Sequence, residues 1–257
     1  MHGCHLVCVV SMRKPLLKWA CLFLLLVSAG GAPALAQSAA APSRAAEGYS
    51  AVDKGDYAAA LRVWRPLAEG GDAESQFLMG WLYQYGLGVQ IDYVEALRWY
   101  QRAAKQNYAQ AQSNIGVMYD VGLGQPQDQR EAANWYRQAA EQGNAAAQFN
   151  LGWLYQNGTG VPQDYEMSKK LYLQSASQGN GPAQYNLGLL YDEGKGVPKD
   201  IVLAYMWFNV AGARLGGDGL RRAVQSRDDA AARMTPDQIR QAQERAQSCL
   251  TSGFKAC

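Results

Sequence analysis

Residues 145–180 read AAAQFNLGWLYQNGTGVPQDYEMSKKLYLQSASQGN, and this stretch decides the fold because its pattern recurs along the chain. Residues 109–144 place apolar, glycine and aspartate residues in the same register. Aspartate recurs at a spacing of 36 residues, at Asp56, Asp92, Asp128, Asp164 and Asp200. A fixed period of this kind is typical of a stacked-repeat protein, in which each unit packs mainly on its neighbours.

Each repeat is predicted to be a pair of helices, because its apolar residues recur at helical spacing and not in alternation. Ala147, Leu151 and Leu154 trace one face of a first helix, and Leu171 and Tyr172 lie on one face of a second. The sequence therefore predicts an all-α solenoid built from antiparallel helix pairs.

The loop between the two helices carries signals that set its ends. Residues 158–160, Gly-Thr-Gly, end the first helix, because glycine adopts the left-handed cap conformation, and Pro162 prevents the helix from resuming. Asp164 then stands at the predicted N-cap of the second helix, where its carboxylate accepts free backbone N–H groups. A glutamate three residues later, as Glu95 follows Asp92, predicts a capping box.

Glycine also recurs inside the predicted first helices, where it is disfavoured by about 1 kcal/mol relative to alanine. These positions are Gly80, Gly116, Gly152 and Gly188. We expect the second helix to cross where the missing Cβ leaves room, with aromatic pairs such as Trp135-Tyr136 filling the space beyond.

The first 36 residues are expected to be a secretory signal that is cut before Gln37. They combine basic Arg13, Lys14 and Lys18 with a short apolar run and a small-x-small site at residues 34–36. Met12 is a candidate start, because residues 1–11 contain no basic side chain, and an uncleaved membrane anchor is the alternative. Cleavage removes three of 24 basic and none of 22 acidic residues, which leaves a net charge of −1. Residues 37–48 are predicted to be a flexible lead-in.

The predicted cleavage also limits the chemistry of the mature chain. Both histidines and three of five cysteines lie in residues 1–36, which leaves Cys249 and Cys257. This excludes Ser-His-Asp and Cys-His triads and the common His/Cys zinc sites, so we expect neither an enzyme nor a cofactor or metal. Because disulfides persist in exported proteins, we predict a bond between Cys249 and Cys257, with free or intermolecular thiols as the alternative. The repeats carry no basic stripe that would bind nucleic acid.

The chain resembles the Sel1-like repeat family, which is related to the tetratricopeptide repeats. The resemblance runs from about Tyr49 to Gly212 and depends on the motif Ala-x-Ala-Gln-(Tyr/Phe)-x-Leu-Gly-x-Leu-Tyr at residues 145–155, the loop at 158–164 and Trp-Tyr-Arg-Gln-Ala-Ala at 135–140. It implies a right-handed superhelix of antiparallel helix pairs that binds proteins or peptides. A cysteine-rich branch is associated with β-lactam binding or hydrolysis, but the repeats of this chain contain no cysteine.

In this frame the chain has six regions after the signal and lead-in. A partial repeat at 49–72 precedes repeats at 73–108, 109–144, 145–180 and 181–212, and capping helices follow at 213–257. The capping helices indicate a monomer whose last repeat is covered.

By analogy with tetratricopeptide stacks, the first helix of each repeat is expected to line a concave groove. The residues expected to face it are Phe77, Trp81, Gln84, Tyr85, Asp120, Phe149, Trp153, Gln156, Tyr185 and Asp192, accompanied by Glu74, Ser113, Val117, Leu189 and Glu193. Aromatic anchors among polar groups suit an extended peptide or a partner helix. For the column of Phe77, Phe149 and Tyr185, a place in the core between repeats is the alternative.

The sequence thus predicts a non-enzymatic scaffold or adaptor of the bacterial envelope, periplasmic or secreted, that binds a protein or peptide in its groove. Contact with a membrane is expected only through the signal. One alternative is an envelope factor associated with peptidoglycan or exopolysaccharide. A more remote alternative is a hydrolase that acts on β-lactams.

Overall fold

The computed structural model describes residues 44–255 and residue 257, so the predicted signal and residues 37–43 lie outside the described residues. The described part is built from helices and contains no β-strand, which confirms the all-α prediction. No helix in it is both long enough and apolar enough to cross a bilayer. The helices are α1 (Arg44–Asp53), α2 (Tyr57–Glu69), α3 (Ala73–Tyr85), α4 (Tyr93–Ala104), α5 (Ala109–Val121), α6 (Gln129–Glu141), α7 (Ala145–Asn157), α8 (Tyr165–Ala176), α9 (Gly181–Glu193), α10 (Ile201–Gly212), α11 (Gly217–Ala231) and α12 (Pro236–Thr251).

Helices α3 to α10 form four stacked pairs, which we number repeats 1 to 4. In each repeat the first helix packs on the second, and the second packs on the first helix of the next repeat. The first helices α5 and α7 also contact each other directly. Because neighbouring elements lie closer together on the inside of a curved stack, we assign the first helices to the inner row and the second helices to the outer row.

Helices α1 and α2 form a half-repeat before repeat 1. Helix α1 begins at Arg44, so residues 44–48, which were expected to belong to the flexible lead-in, are helical. Trp64 of α2 explains this earlier start, because its indole packs under α1 and its Nε1 donates a hydrogen bond to the Ala45 carbonyl at 3.1 Å. A Cβ at Gly48 would overlap this indole, so glycine allows the close approach.

The recurring aspartates cap the second helices, as predicted. Each accepts at least one backbone N–H bond at the start of its helix: Asp56, Asp92, Asp128, Asp164 and Asp200. The capping-box prediction is wrong at Asp92, and also at the second predicted box, Asp128 with Glu131, where the Asp128 N–H donates to the Tyr119 carbonyl at 2.9 Å. The backbone N–H of Asp92 donates to the Tyr83 carbonyl across the loop at 3.0 Å, so it is not available to Glu95. The Glu95 carboxylate pairs with Arg98 instead, at 3.2 Å.

The glycines inside the first helices lie against aromatic rings, which confirms the predicted close approach. A Cβ added at Gly80 would lie 2.6 Å from the ring of Tyr100. The corresponding distances are 2.6 Å to Tyr136, 2.9 Å to Tyr172 and 2.5 Å to Phe208 in the next three repeats. Because these rings are fully buried, they connect the two helices of each repeat.

A ladder of buried glutamines joins successive repeats. The Gln148 amide donates to the Ala140 carbonyl at 3.2 Å and accepts from Gln178 Nε2 at 2.8 Å. Gln76 and Gln106 are joined in the same way at 2.9 Å, and Gln142 donates to the equivalent glutamine of repeat 2. The ladder therefore satisfies a backbone carbonyl near the end of α2, α6 and α8 and links successive repeats.

The C-terminal helices α11 and α12 both pack on α10. Cys249 and Cys257 form a disulfide with a Cα–Cα distance of 4.6 Å. The loop that it closes carries Phe254, which is buried with its ring near Gly179 and 4.6 Å from the Arg214 guanidinium. This tail covers the edge of repeat 4, where the glutamine ladder ends.

Candidate partner-binding groove

The most exposed side chains of the first helices fall at two register positions, and a third position on the same face is partly exposed in three repeats. In repeat 1 these positions are Glu74, Trp81 and Tyr85, which lie seven and four residues apart on one helical face. We call this set the inner stripe, and all of its members except Val117 are at least partly exposed. The inner stripe consists of Glu74, Trp81, Tyr85, Gln110, Val117, Val121, Ala146, Trp153, Asn157, Pro182, Leu189 and Glu193.

The inner stripe is most aromatic in repeat 1. The Trp81 ring lies 6.0 Å from the Tyr85 ring and 6.4 Å from the ring of Tyr57, which begins α2. Trp81 is half-buried, whereas Tyr85 is 37% exposed. Burial raises the pKa of Tyr85, and the neighbouring Tyr93 adds to this shift. The three rings therefore form a preorganised apolar surface that still reaches solvent.

Phe77 and Phe149 do not face the groove, so this part of the prediction is wrong. Both are only 5% exposed. Their rings pack on Tyr100 at 5.7 Å and on Tyr172 at 5.9 Å, respectively. Phe77 and Phe149 are therefore core residues, as the alternative held, and their ring contacts with Tyr100 and Tyr172 lie between the two helices of one repeat.

Gln84 and Gln156 were predicted to line the groove, but their side chains accept hydrogen bonds from buried tyrosines. The Tyr100 hydroxyl donates to Gln84 Oε1 at 2.6 Å, and the Tyr172 hydroxyl donates to Gln156 Oε1 at 2.8 Å. In repeat 3 this hydroxyl also accepts a hydrogen bond from Asn186 at 2.9 Å. Gln84 is buried and Gln156 is half-buried, so their role is to satisfy hydroxyl groups inside the stack.

Asp120 occupies the same register position in repeat 2 and is only 7% exposed. Burial raises the pKa of the adjacent Tyr136, and the charge of Asp120 raises it further. Asn150 of the next repeat acts on the same phenol in the opposite direction, through a hydrogen bond. Asp120 is therefore part of a buried polar cluster, and the prediction that it lines the groove is wrong.

Tyr185 and Asp192 are engaged by the C-terminal cap. The Tyr185 ring packs on Phe208 at 5.5 Å, and its hydroxyl lies 3.2 Å from the Ser226 hydroxyl. Asp192 accepts two bonds from the Arg233 guanidinium, at 2.8 and 3.1 Å. The cap thus closes the far end of the groove. Of the ten predicted groove residues, only Trp81, Tyr85 and Trp153 belong to the inner stripe.

Sequence reasoning missed a small apolar edge beside repeat 1. Ile91 is 57% exposed beside Gly86, the residue after Tyr85, and Val94 is 46% exposed in the first turn of α4. The position of Ile91 is glutamine in repeats 2 and 3, where Gln127 and Gln163 donate to first-helix carbonyls at 2.6 and 2.8 Å. The sequence did contain a signal for this edge, because Ile91 is apolar whereas Gln127, Gln163 and Lys199 at the same register position are polar.

The described residues offer little for acid–base or metal chemistry. They contain no group of three or more His, Cys, Asp or Glu side chains that could hold a metal ion. An open cleft of about 470 Å³ lies between the turns that join repeats, and its lining includes Asn107, Tyr108, Gln142, Asn144 and Gln178. Burial raises the pKa of Tyr108, so this phenol stays protonated near neutral pH. Amides and a neutral phenol can bind hydrogen-bonding groups but do not exchange protons readily.

The register of the repeats matches a known family. Four copies of the Sel1 repeat match residues 73–108, 109–144, 145–180 and 181–214. The chain belongs to the Sel1 repeat family. The last copy ends two residues beyond the predicted boundary at residue 212. Sel1-repeat proteins generally mediate protein–protein interactions and are generally not catalytic.

Two solved structures of Sel1-repeat proteins are similar to this one. A protective antigen of uropathogenic Escherichia coli with an SLR fold is 31% identical, with a TM-score of 0.73, over 82% of this chain and 46% of that one. This Sel1-repeat protein therefore spans about half the length of that antigen. A Sel1 repeat protein from Oxalobacter formigenes is 30% identical, with a TM-score of 0.63, over 74% of this chain and 86% of that one. No functionally curated protein matches the sequence.

Proposed function

We propose that this Sel1-repeat protein is a non-enzymatic adaptor of the bacterial envelope that binds a protein or peptide in the groove lined by the inner stripe. The observation that carries the proposal is the partly exposed pair Trp81 and Trp153, held on rigid helices two repeats apart. Large aromatic residues dominate binding energy at protein interfaces, because they bury much apolar area with few rotatable bonds.

Three features support a place in the envelope. Residues 1–36 have the pattern of a secretory signal. The Cys249–Cys257 disulfide suits an oxidising compartment outside the cytoplasm. The two similar structures come from bacteria, and one of them is a protective antigen. We further propose that the protein acts as a monomer, because α11 and α12 cover the last repeat.

Crosslinking capture from an envelope extract tests the proposal. Mature protein is compared with the variant Trp81→Ala/Trp153→Ala. A matched control, Leu173→Ala/Leu220→Ala, removes two partly exposed apolar side chains outside the inner stripe. We expect a specific protein to be retained by the mature protein and the control and lost by the tryptophan variant, with circular dichroism showing that all three are folded. Equal retention by all three would place binding elsewhere on the surface.

A second candidate function is association with peptidoglycan or exopolysaccharide. Exposed rings such as Tyr85, which is 37% exposed beside Trp81, can also stack on sugar rings. A pull-down on insoluble peptidoglycan separates the two functions. Retention there that depends on Trp81 and Trp153, without capture of any envelope protein, would favour the glycan.

A further inference from the structure

Charge is segregated between the two rows of helices. The four first helices α3, α5, α7 and α9 contain four carboxylates and no lysine or arginine. Two basic residues lie in each of α2, α4, α6 and α8, whereas α10, the second helix of repeat 4, contains none. The basic side chains of the repeats therefore lie in the outer row or in loops, and the inner row offers only neutral and acidic groups.

An acidic group lies at the start of the aromatic part of the groove. Glu74 is exposed and belongs to the inner stripe of repeat 1, two turns before Trp81. Its carboxylate accepts a hydrogen bond of 2.6 Å from the Tyr49 hydroxyl. Burial, and then this bond, raise the pKa of Tyr49, so the phenol keeps its proton and remains a donor. The bond holds Glu74 in place beside the groove.

Aromatic rings elsewhere in the chain already bind cations from the outer row and the loops. The Arg102 guanidinium lies 4.3 Å from the Trp99 ring centre, and the Lys195 ammonium lies 5.8 Å from that of Tyr165. A cation over an aromatic face is favourable by about 0.5–2 kcal/mol, most strongly over tryptophan. The first helices supply no lysine or arginine, so the exposed part of the Trp81 ring can accept a cation from a partner.

We propose that the groove binds a basic segment of a partner protein, with lysine or arginine side chains over the Trp81 ring and near Glu74. This inference rests on the proposed function and adds the chemical class of the partner. The partner's apolar side chains lie against Leu189 and the exposed edge formed by Tyr85, Ile91 and Val94. Attraction to Glu74 favours cations. Because the first helices contain no lysine or arginine, no side chain of the inner row pairs with Glu74 or repels a basic partner.

The position of the basic segment follows from the cap. In repeat 4 both carboxylates of α9 already pair with cations, Asp192 with Arg233 of the cap at 2.8 Å and Glu193 with Lys195 at 2.7 Å. A basic segment finds less attraction at this end. Its cations therefore lie over repeats 1 to 3.

The test is a selection from a random dodecapeptide library displayed on phage. The mature, disulfide-bonded protein is the bait, and binders that also bind Trp81→Ala/Trp153→Ala are removed. We expect the remaining peptides to be enriched in lysine and arginine and depleted in aspartate and glutamate relative to the unselected library. Acidic or neutral peptides would overturn the inference and leave groove binding intact. Failure to select any groove-dependent peptide, while an envelope protein is still captured through the tryptophans, would also overturn the inference alone.

Calorimetry on the most enriched peptide, made synthetically, tests the role of charge. Replacing its basic residues with glutamine is expected to weaken binding by about tenfold or more. Glu74→Lys should weaken binding by about five- to tenfold, because it replaces an attraction with a repulsion. The matched control Glu166→Lys makes the same change of charge on the exposed outer helix α8 and should leave affinity unchanged within about twofold. Equal losses in the two variants would mean that only net charge matters and would overturn the assignment to the groove.

Discussion

Gly116 and its counterparts carry the closest contact inside each repeat. The Tyr136 ring lies where a Cβ of Gly116 would project, and the phenol hydroxyl continues toward Asp120 and Asn150. A single glycine thus lets a large ring reach the polar cluster behind it. Glycine makes the helix intrinsically less stable than alanine would. Burial of the ring outweighs this cost, because the ring buries far more surface than a methyl group could.

Gly116→Ala tests this contact. An added Cβ would lie 2.6 Å from two atoms of the Tyr136 ring, so we expect the free energy of unfolding to fall by about 1–3 kcal/mol. The matched control Gly219→Ala lies in α11, where the nearest neighbour is 3.4 Å away, and should raise stability by up to about 1 kcal/mol. Urea unfolding of both variants measures the effects. Stabilisation by both would show that the ring yields easily.

The buried tyrosines predict a loss of stability in alkali. Burial raises the pKa values of Tyr100, Tyr136 and Tyr172 above the ordinary value of 10.0. Below pH 10 the folded and unfolded states both keep these protons, so stability is fully present. Above it, the unfolded chain ionises first, and the free energy of unfolding falls by about 1.4 kcal/mol per pH unit for each tyrosine. Urea unfolding between pH 9 and 11 should show this slope, and Tyr172→Phe should reduce it. An unchanged slope in the variant would contradict the assignment.

At the scale of the element, one backbone hydrogen bond closes the loop between the two helices in every repeat. The residue before the capping aspartate differs between repeats and changes the surface of the loop. The N–H of the capping aspartate donates to a first-helix tyrosine carbonyl at 2.9–3.0 Å in all four repeats. One residue earlier, glutamine adds a second bond in repeats 2 and 3, whereas Ile91 does not. Repeat 1 therefore exposes apolar surface where its neighbours are polar.

Ile91→Gln should give this loop the bond seen at Gln127 and Gln163. We expect the free energy of unfolding to rise by about 0.5–1 kcal/mol, since a hydrogen bond is gained and an exposed apolar side chain is lost. Thermal unfolding measures this change. The same variant should retain less of a partner that binds in the groove, because the edge beside Tyr85 becomes polar. Gln127→Ile, the reverse change in repeat 2, is the control and should destabilise.

At the scale of the whole molecule, stability depends on how the stack is ended. The half-repeat α1–α2 covers one edge, and α11, α12 and the disulfide-closed tail cover the other. Phe254 packs near Gly179, and Arg214 stacks on it instead of continuing the glutamine ladder. The tail thus ends the ladder and prevents another repeat from adding there.

Cys257→Ser opens the tail without changing a buried side chain, because Cys257 is exposed whereas Cys249 is buried. We expect the free energy of unfolding to fall by about 2–3 kcal/mol, the entropy of closing so short a loop. Amide hydrogen exchange around Phe254 should become faster. A reducing agent should bring the unaltered protein to the same stability and leave the variant unchanged. If amide exchange around Phe254 is unchanged in the variant, packing alone holds the tail in place.

The sequence by itself determined the helix pairs, the capping aspartates and the glycine–aromatic contacts. These features are local or recur at a fixed spacing, so periodicity and turn chemistry are enough to predict them. Only the tertiary structure decided which side chains of the first helices reach solvent. Phe77, Gln84 and Asp120 were expected in the groove, yet they are buried beside an aromatic residue in the second helix of their own repeat. The periodic pattern of a first helix does not separate its exposed positions from its buried ones. Burial depends on which ring or amide the next helix places against each side chain.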